Sequence, residues 1–276
     1  MNKQIKMVAF DLDGTLLNSE KKMSEATIEA LEKAIAQGVV VLPATGRPLV
    51  GVPKELKDFP GIQYAVTANG ARVVNIKTGE TVCESTLALE MAEKILDIFD
   101  RYDCHQEIFA NGVSYANKKC EANIYDYFKS RHHAEYTLNT RKFVESVRMQ
   151  ARELGLPLEK VQAMFCDEES FKDAKNKLDQ LEGIVATDAI GMNWEVNRAG
   201  TDKGNALIEL GKILGIEKDE IMALGDGMND YAMIKKVGFG VVMENGVDEL
   251  KKIAKHITAS NDEDGVVKAI EQFVLK

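Results

Sequence analysis

Short unbroken apolar runs recur at both ends of the chain, at residues 7–10, 39–42, 64–67, 221–224 and 240–243. Such runs predict strands buried on both faces, as in a parallel sheet covered by helices. Between them the spacing becomes helical. Ser24 predicts an N-cap, Ile28, Leu31 and Ile35 follow at helical intervals, and Gly38 closes the segment. Pro48 predicts the first position of a further helix. Residues 203–214 (ending before Gly215), 230–237, 250–255 and 266–274 also read as helical. Strand alternating with helix is the pattern of an α/β sheet with right-handed crossovers.

In the middle of the chain the rhythm differs. Residues 72–75 and 81–84 flank Lys77-Thr78-Gly79, and 107–110 and 113–116 flank Asn111-Gly112; both predict hairpins. Helices are read at 87–101, 121–131, 141–154 (capped by Gly155) and 170–181, and strands at 161–166 and 184–187. This mixture predicts a separate α+β domain. The expected architecture is a Rossmann-like parallel-sheet α/β core made of residues 1–83 and 190–276, with an α+β cap domain, residues 84–189, inserted between them. A strand near Trp194–Val196 is expected to lead back into the core, just before a helix opening at Lys203.

Length and composition agree: 276 residues, 45% of them apolar, allow one large or two modest domains with a real core. A net charge of −9 argues against nucleic acid and anionic membranes as partners. The start, MNKQIKMVAF, is too short in its apolar part for a signal peptide, and no run has the length of a membrane span, so a cytoplasmic protein is expected. Cys83, Cys104, Cys120 and Cys166 form no CxxC pair and no zinc spacing with histidine, and read as reduced thiols. His132 and His133 would point about 100° apart on a helix, which favours a solvated face over a metal site.

The chemistry is expected at the carboxyl ends of the core strands, where open α/β sheets bind ligands. Asp11 and Asp13 follow the first run. Thr45, Gly46 and Arg47 follow the second. Asp226, Asn229 and Asp230 follow the run at 221–224, and Lys203 opens its helix. Two carboxylates at a strand end repel, so something must offset them. Mg²⁺ would do so, with Asp226 as a third carboxylate, and with Lys203 it would hold a phosphoryl group. One aspartate would then attack phosphorus and the other would serve as general acid and base. Gly14 would permit a sharp turn, Thr45 would donate a hydroxyl, and Gly46 would allow close approach of backbone. Each segment alone is also an ordinary turn or cap; it is the ordered set that favours catalysis. Arg47 is read either as a substrate contact or as a carboxylate's partner, and Asn69, before Gly70, as pocket lining or a plain turn.

Asp11-Leu12-Asp13-Gly14-Thr15, Thr45-Gly46-Arg47-Pro48, Lys203-Gly204 and Gly225-Asp226-Gly227-Met228-Asn229-Asp230 resemble, in order, the four motifs of the haloacid dehalogenase superfamily. The second and fourth resemble the Cof-type sugar-phosphatase branch, whose large class IIB cap lies between the second and third motifs. The resemblance implies that Asp11 is the nucleophile and a Mg²⁺ ligand. It implies that Asp13 is the acid/base and binds the ion through its backbone carbonyl, and that Asp226 is the remaining ligand. The Leu12 N–H, Thr45, Gly46, Lys203 and Asn229 would hold the phosphate, and Asp230 would support the metal or orient Lys203. The implied activity is Mg²⁺-dependent hydrolysis of small phosphorylated metabolites, sugar phosphates above all, by a monomer or weak homo-oligomer. A sugar phosphomutase and a non-catalytic phosphometabolite sensor would share these motifs.

Overall fold

The computed structural model describes residues 4–188 and 190–275. Residues 1–3, at the start of the segment weighed above as a leader, residue 189, the expected end of the insertion, and residue 276 lie outside the described residues. The strands run β1 (Met7–Phe10), β2 (Val40–Pro43), β3 (Tyr64–Thr67), β4 (Arg72–Asn75) and β5 (Thr81–Glu84). They continue as β6 (Cys104–Ala110), β7 (Val113–Asn117), β8 (Lys142–Val144), β9 (Lys160–Phe165), β10 (Ile184–Thr187) and β11 (Asn193–Arg198). The last are β12 (Ile221–Gly225), β13 (Phe239–Val242) and β14 (His256–Ile257). Contacts divide the chain into two units. The first holds the chain up to Gly46, Val52–Glu84, and the chain from Asp202 on; the second holds Arg47–Gly51 and Ser85–Thr201.

In the first unit a five-stranded parallel sheet has the order β14-β13-β12-β1-β2. All four side chains of β1 are buried, because both faces are covered. Met7 and Ala9 meet Ala206, Leu207 and Leu210 of the helix Lys203–Leu214. Val8 and Phe10 meet Leu31 of the helix Glu25–Ala36 and Ile270 of the helix Gly265–Phe273. Ser24 caps the helix Glu25–Ala36 by accepting a bond from the Thr27 N–H at 3.0 Å. In register, Phe10 stands opposite both Leu224 and Pro43, so β1, β12 and β2 end level at one edge.

Two expectations for this unit are corrected. β3 is not a further strand of the parallel sheet. A left-handed turn at Ala68–Gly70 folds the chain straight back, so β3 pairs antiparallel with β4 in a separate three-stranded sheet, β3-β4-β5. It touches the β2 edge through a single parallel bridge, Ala44 with Val66. The helix expected from Pro48 is reduced to the short turns Leu49–Gly51 and Lys54–Lys57, because Pro53 has no N–H with which to continue it.

The second unit is built on a six-stranded sheet, order β10-β11-β9-β6-β7-β8, antiparallel except for β7 with β8. Asn111 and Gly112 both take positive φ, as a two-residue hairpin turn demands. The helices Leu89–Phe99, Val147–Leu154 and Glu168–Leu178 cover one face, over Ile108, Val161, Phe165 and Val196. The alternate residues Glu107, Lys160 and Glu195 are buried on the other face. The strand around Trp194–Val196 belongs here, paired with β9, and not to the core. Its polar–apolar alternation from Asn193 to Asn197 is the mark of an antiparallel strand, and the chain returns to the first unit only at Asp202. Residues 121–131 form no continuous helix: turns at Lys118–Cys120 and Ile124–Asp126 precede the helix Arg131–Thr140. Residues 141–154 begin as β8, and the helix starts only where the Ser146 side chain caps it. Among the described residues no helix is long and apolar enough to cross a membrane.

The Glu107 carboxylate holds this buried face together, accepting from Arg141 Nε at 2.8 Å and pairing with His105 Nε2 at 3.1 Å. Burial alone would raise its carboxyl, but Arg141 and His105 outweigh burial and bring it down to about 2. A folded-state value below the ordinary ~4.3 stabilises the fold above that pH and is lost as pH falls towards 2. Glu107→Gln is therefore expected to cost about 3–5 kcal/mol at pH 7, by leaving Arg141 buried and unpaired. Urea unfolding from pH 7 down to pH 2.5 should show the gap between wild type and variant narrowing.

Candidate active site

The level ends of β1, β12 and β2 bring Asp11, Asp226 and Thr45 to the same edge. Asp11 N–H donates to Leu224 O at 3.0 Å and Ala44 N–H to Phe10 O at 2.8 Å, so the ladder runs one residue beyond each strand. Lys203 joins them from the start of its helix, where Asp202 is the N-cap and accepts from the Asn205 N–H at 2.8 Å. The Lys203 ammonium, wholly buried, lies 2.7 Å from Asp11 Oδ1 and 2.6 Å from Asp230 Oδ1. Asp230 Oδ2 accepts from the backbone N–H groups of Asp226 at 2.9 Å and Gly227 at 3.1 Å. Asp226 Oδ1 accepts from the Thr15 hydroxyl at 2.7 Å. Carboxylate oxygens of Asp11, Asp226 and Asp230 all lie within 4.8 Å of one another.

The electrostatics follow from burial. Desolvation pushes Asp11 up to about 8, against the pull of Lys203 and with the repulsion of Asp230 and Asp226 added. Desolvation and Asp230 push Asp226 up to about 7. Burial would lower Lys203, but Asp11 and Asp230 outweigh it and raise the amine well above its ordinary value. Among the described residues a single ammonium, that of Lys203, bonds these carboxylates, and this deficit of positive charge, with hard oxygen donors, fits a small divalent cation. Both oxygens of Asp230 are taken by Lys203 and backbone N–H groups, which leaves Asp11 and Asp226 as the side chains suited to hold the ion. The Asp13 carboxylate is half-exposed, its Oδ1 2.9 Å from Lys21 Nζ.

Two glycines are required by this geometry. Gly14 has φ +77°, and a Cβ there would lie 2.3 Å from Asp226 Oδ2. Gly70, φ +96°, packs its backbone on that of Asp202 and Lys203, where a Cβ would meet Asp202 O at 2.3 Å. Asn69 is left-handed and buried, and its N–H donates to Thr45 O at 3.1 Å, so it braces the Thr45 loop. Leu12 buries its side chain in the core. Gly46 is half-buried beside Thr45, and Asn229 half-buried in the turn Met228–Asp230. Arg47 departs from the set: it belongs to the second unit, donates to Gly51 O at 3.0 Å and stacks 4.5 Å over the Tyr136 ring.

Sequence reasoning gave no role to Thr15, Lys21 or Asn245, whose Nδ2 donates to Gly14 O at 2.8 Å. Thr15 lay inside a motif already singled out. Lys21 and Asn245 sit in polar stretches with nothing to mark them.

Comparison with known proteins gives the family. The family model described as haloacid dehalogenase-like hydrolase matches residues 8–270. A 5-amino-6-(5-phospho-D-ribitylamino)uracil phosphatase of Bacillus subtilis is 31% identical over 98% of this chain and 98% of its own. A solved haloacid dehalogenase-like hydrolase from B. subtilis superposes with a TM-score of 0.85 at 26% identity, covering 98% of this chain and 100% of that one. A structure described as a haloacid dehalogenase subclass IIB sugar phosphatase gives a TM-score of 0.81 at 26% identity, covering 97% and 98%.

Lys203→Met would leave Asp11 and Asp230 buried without their cation. Without divalent ions it is expected to cost about 3–5 kcal/mol at pH 9. The loss should shrink by pH 5.5, because groups lifted to about 8 and about 7 take up protons on the way down. Denaturant unfolding at the two pH values measures the difference.

Proposed function

The chain belongs to the haloacid dehalogenase-like hydrolases and is a phosphatase, and from that premise we propose that it hydrolyses small phosphorylated metabolites, sugar phosphates foremost, through a phosphoryl group carried on Asp11. The observation that carries this reading is the buried Asp11–Lys203–Asp230 contact beside Asp226 at the carboxyl edge of the sheet.

Lys203 occupies Asp11 Oδ1, so Oδ2 is the oxygen that would attack phosphorus. The bond from phosphorus to the leaving oxygen breaks as the bond to Asp11 forms. Asp13 gives its proton to the leaving oxygen and, as the carboxylate, takes one from the water that then attacks phosphorus, breaking the bond to Asp11 and releasing its carboxylate. Lys21 Nζ, 2.9 Å from Asp13 Oδ1, positions that carboxyl for both transfers. Lys203 remains charged throughout, held by two carboxylates, and offsets negative charge on the transferring group. Thr45, Gly46, Asn229 and the Leu12 N–H are assigned to the phosphate oxygens. Asp11 and Asp226, with the Asp13 backbone carbonyl, would hold Mg²⁺, which when bound supplies positive charge to the phosphoryl oxygens. Choice among phosphorylated substrates is assigned to the inserted unit.

Asp11→Asn is expected to lower phosphate release by more than about 10³-fold, upwards of about 4 kcal/mol in the barrier. Its thermal unfolding should remain cooperative. Chelation of divalent ions should abolish turnover in the wild type, and added Mg²⁺ should restore it. A panel of sugar phosphates scored by free phosphate makes both measurements.

A further inference from the structure

The loop directly after β13, residues 243–247, supplies no group to the chemistry above, yet it is bonded to both loops that supply the carboxylates. On one side it holds the loop of Asp226. Val247 N–H donates to Asp226 O at 3.0 Å and Met243 N–H to Gly225 O at 3.1 Å. Gly246 packs on the same backbone, where a Cβ would lie 3.2 Å from Asp226 Cα. Asn245 reaches the other way. Its Nδ2 donates to Gly14 O at 2.8 Å, and its Oδ1 accepts from the Asn261 N–H at 3.0 Å. A carbonyl needs a donor and an N–H needs an acceptor, so both ends of this amide are matched and only one orientation of it serves.

Gly14 is where such a hold counts. With φ +77° and no Cβ, its peptide is fixed by bonds and not by sterics. The N–H groups of Leu16 and Leu17 bond back to Asp11 O and Leu12 O, but among the described residues no backbone N–H donates to Gly14 O. The Asn245 amide holds that carbonyl. Before Gly14 stands Asp13, whose backbone carbonyl is assigned to Mg²⁺. After it stands Thr15, whose hydroxyl donates to Asp226 Oδ1 at 2.7 Å. The Gly14 peptide therefore lies between one assigned ligand and the partner of another. Residues 245–247 grip it together with the Asp226 backbone. Further out, Asn261 Nδ2 donates to Leu17 O at 2.9 Å and Ser19 donates to Asp262 from its N–H at 2.7 Å and its hydroxyl at 2.6 Å.

We propose that Asn245 is a positioning residue for the divalent cation, acting through the Gly14 peptide. The proposal rests on the reading of Asp11, Asp226 and the Asp13 carbonyl as the Mg²⁺ ligands. Asn245 is not itself a ligand. By fixing Gly14 O it sets the direction of the Asp13 carbonyl on one side and the place of the Thr15 hydroxyl on Asp226 on the other. Groups that orient a metal's ligands in this way carry about 10- to 100-fold in metal affinity. Asn245 is exposed, so trimming it opens no cavity, and its effect on the ion is separable from packing.

Mg²⁺ alone, titrated calorimetrically into the full chain at neutral pH, reads the effect without turnover. Asn245→Ala is expected to raise the dissociation constant by about tenfold or more. Asn261→Ala is the control. It removes a bond to the same loop, at Leu17 O, but leaves the hold on Gly14 O, and should change the constant by less than about threefold. Wild type that binds Mg²⁺ with Asn245→Ala within about threefold of it, or both variants weakened alike, would overturn the proposal. Wild type that binds no Mg²⁺ would instead overturn the ligand reading beneath it. If Asn245→Ala does not fold, Asn245→Asp replaces it. That variant keeps the acceptor for Asn261 and loses the donor to Gly14, and its added negative charge would by itself tighten a cation. Weaker binding in it reads the lost bond, and binding as tight as wild type or tighter counts against.

Discussion

The first unit depends on one buried ammonium. Lys203 is enclosed between Asp11 and Asp230, and each of these residues has a second task. Asp230 bonds the backbone of the loop that carries Asp226. Asp11 stands at the end of the central strand. Three segments far apart in sequence are thus tied at one point by charge. Among the described residues the Lys203 ammonium does not neutralise three carboxylates, and burial, with the remaining negative charge added, lifts Asp11 and Asp226. A site with that deficit is stable only with protons or a divalent cation in it. Burial of that excess negative charge therefore accounts for the raised carboxyls and motivates the proposed Mg²⁺.

The sheet makes this meeting possible. Parallel strands that end level put every following loop at one edge, and the register of Phe10 with Leu224 and Pro43 fixes the level. The helix carrying Lys203 packs on the same sheet through Leu207 and Leu210, so burial of apolar surface pays for holding a cation where it is wholly desolvated. The left-handed turn at Ala68–Gly70 braces both the Thr45 loop and the start of that helix, although it supplies no charge. Second-unit charges are arranged differently: Arg141 and His105 are both held by the one buried carboxylate of Glu107.

Much of this was legible because it is local. The run at Met7–Phe10 betrays a strand covered on both faces, Ser24 and Gly38 bracket a helix, and the candidate site segments follow strand ends at once. What was not legible depends on partners distant in the chain. β3 reads like β1 but is turned away by three consecutive residues of positive φ, of which only Gly70 advertises itself. The strand from Asn193 to Arg198 alternates, and that alternation, taken seriously, would have placed it in the antiparallel sheet and moved the boundary to Asp202. Lys21 lies in a polar stretch, and nothing in its neighbours announces that it reaches Asp13. Arg47 lies within the second motif, yet its guanidinium bonds Gly51 O and stacks over Tyr136 in the second unit.

The central claim is that Asp11 accepts the phosphoryl group. It is tested most directly by mixing excess enzyme with a sugar phosphate it hydrolyses, quenching in acid, reducing with borohydride, and sequencing the peptides by mass spectrometry. An acyl phosphate is reduced by borohydride where a free carboxylate is not. The account requires residue 11 to be recovered as homoserine. Homoserine at another aspartate, or unreduced Asp11 when phosphate release is caught midway, would contradict it.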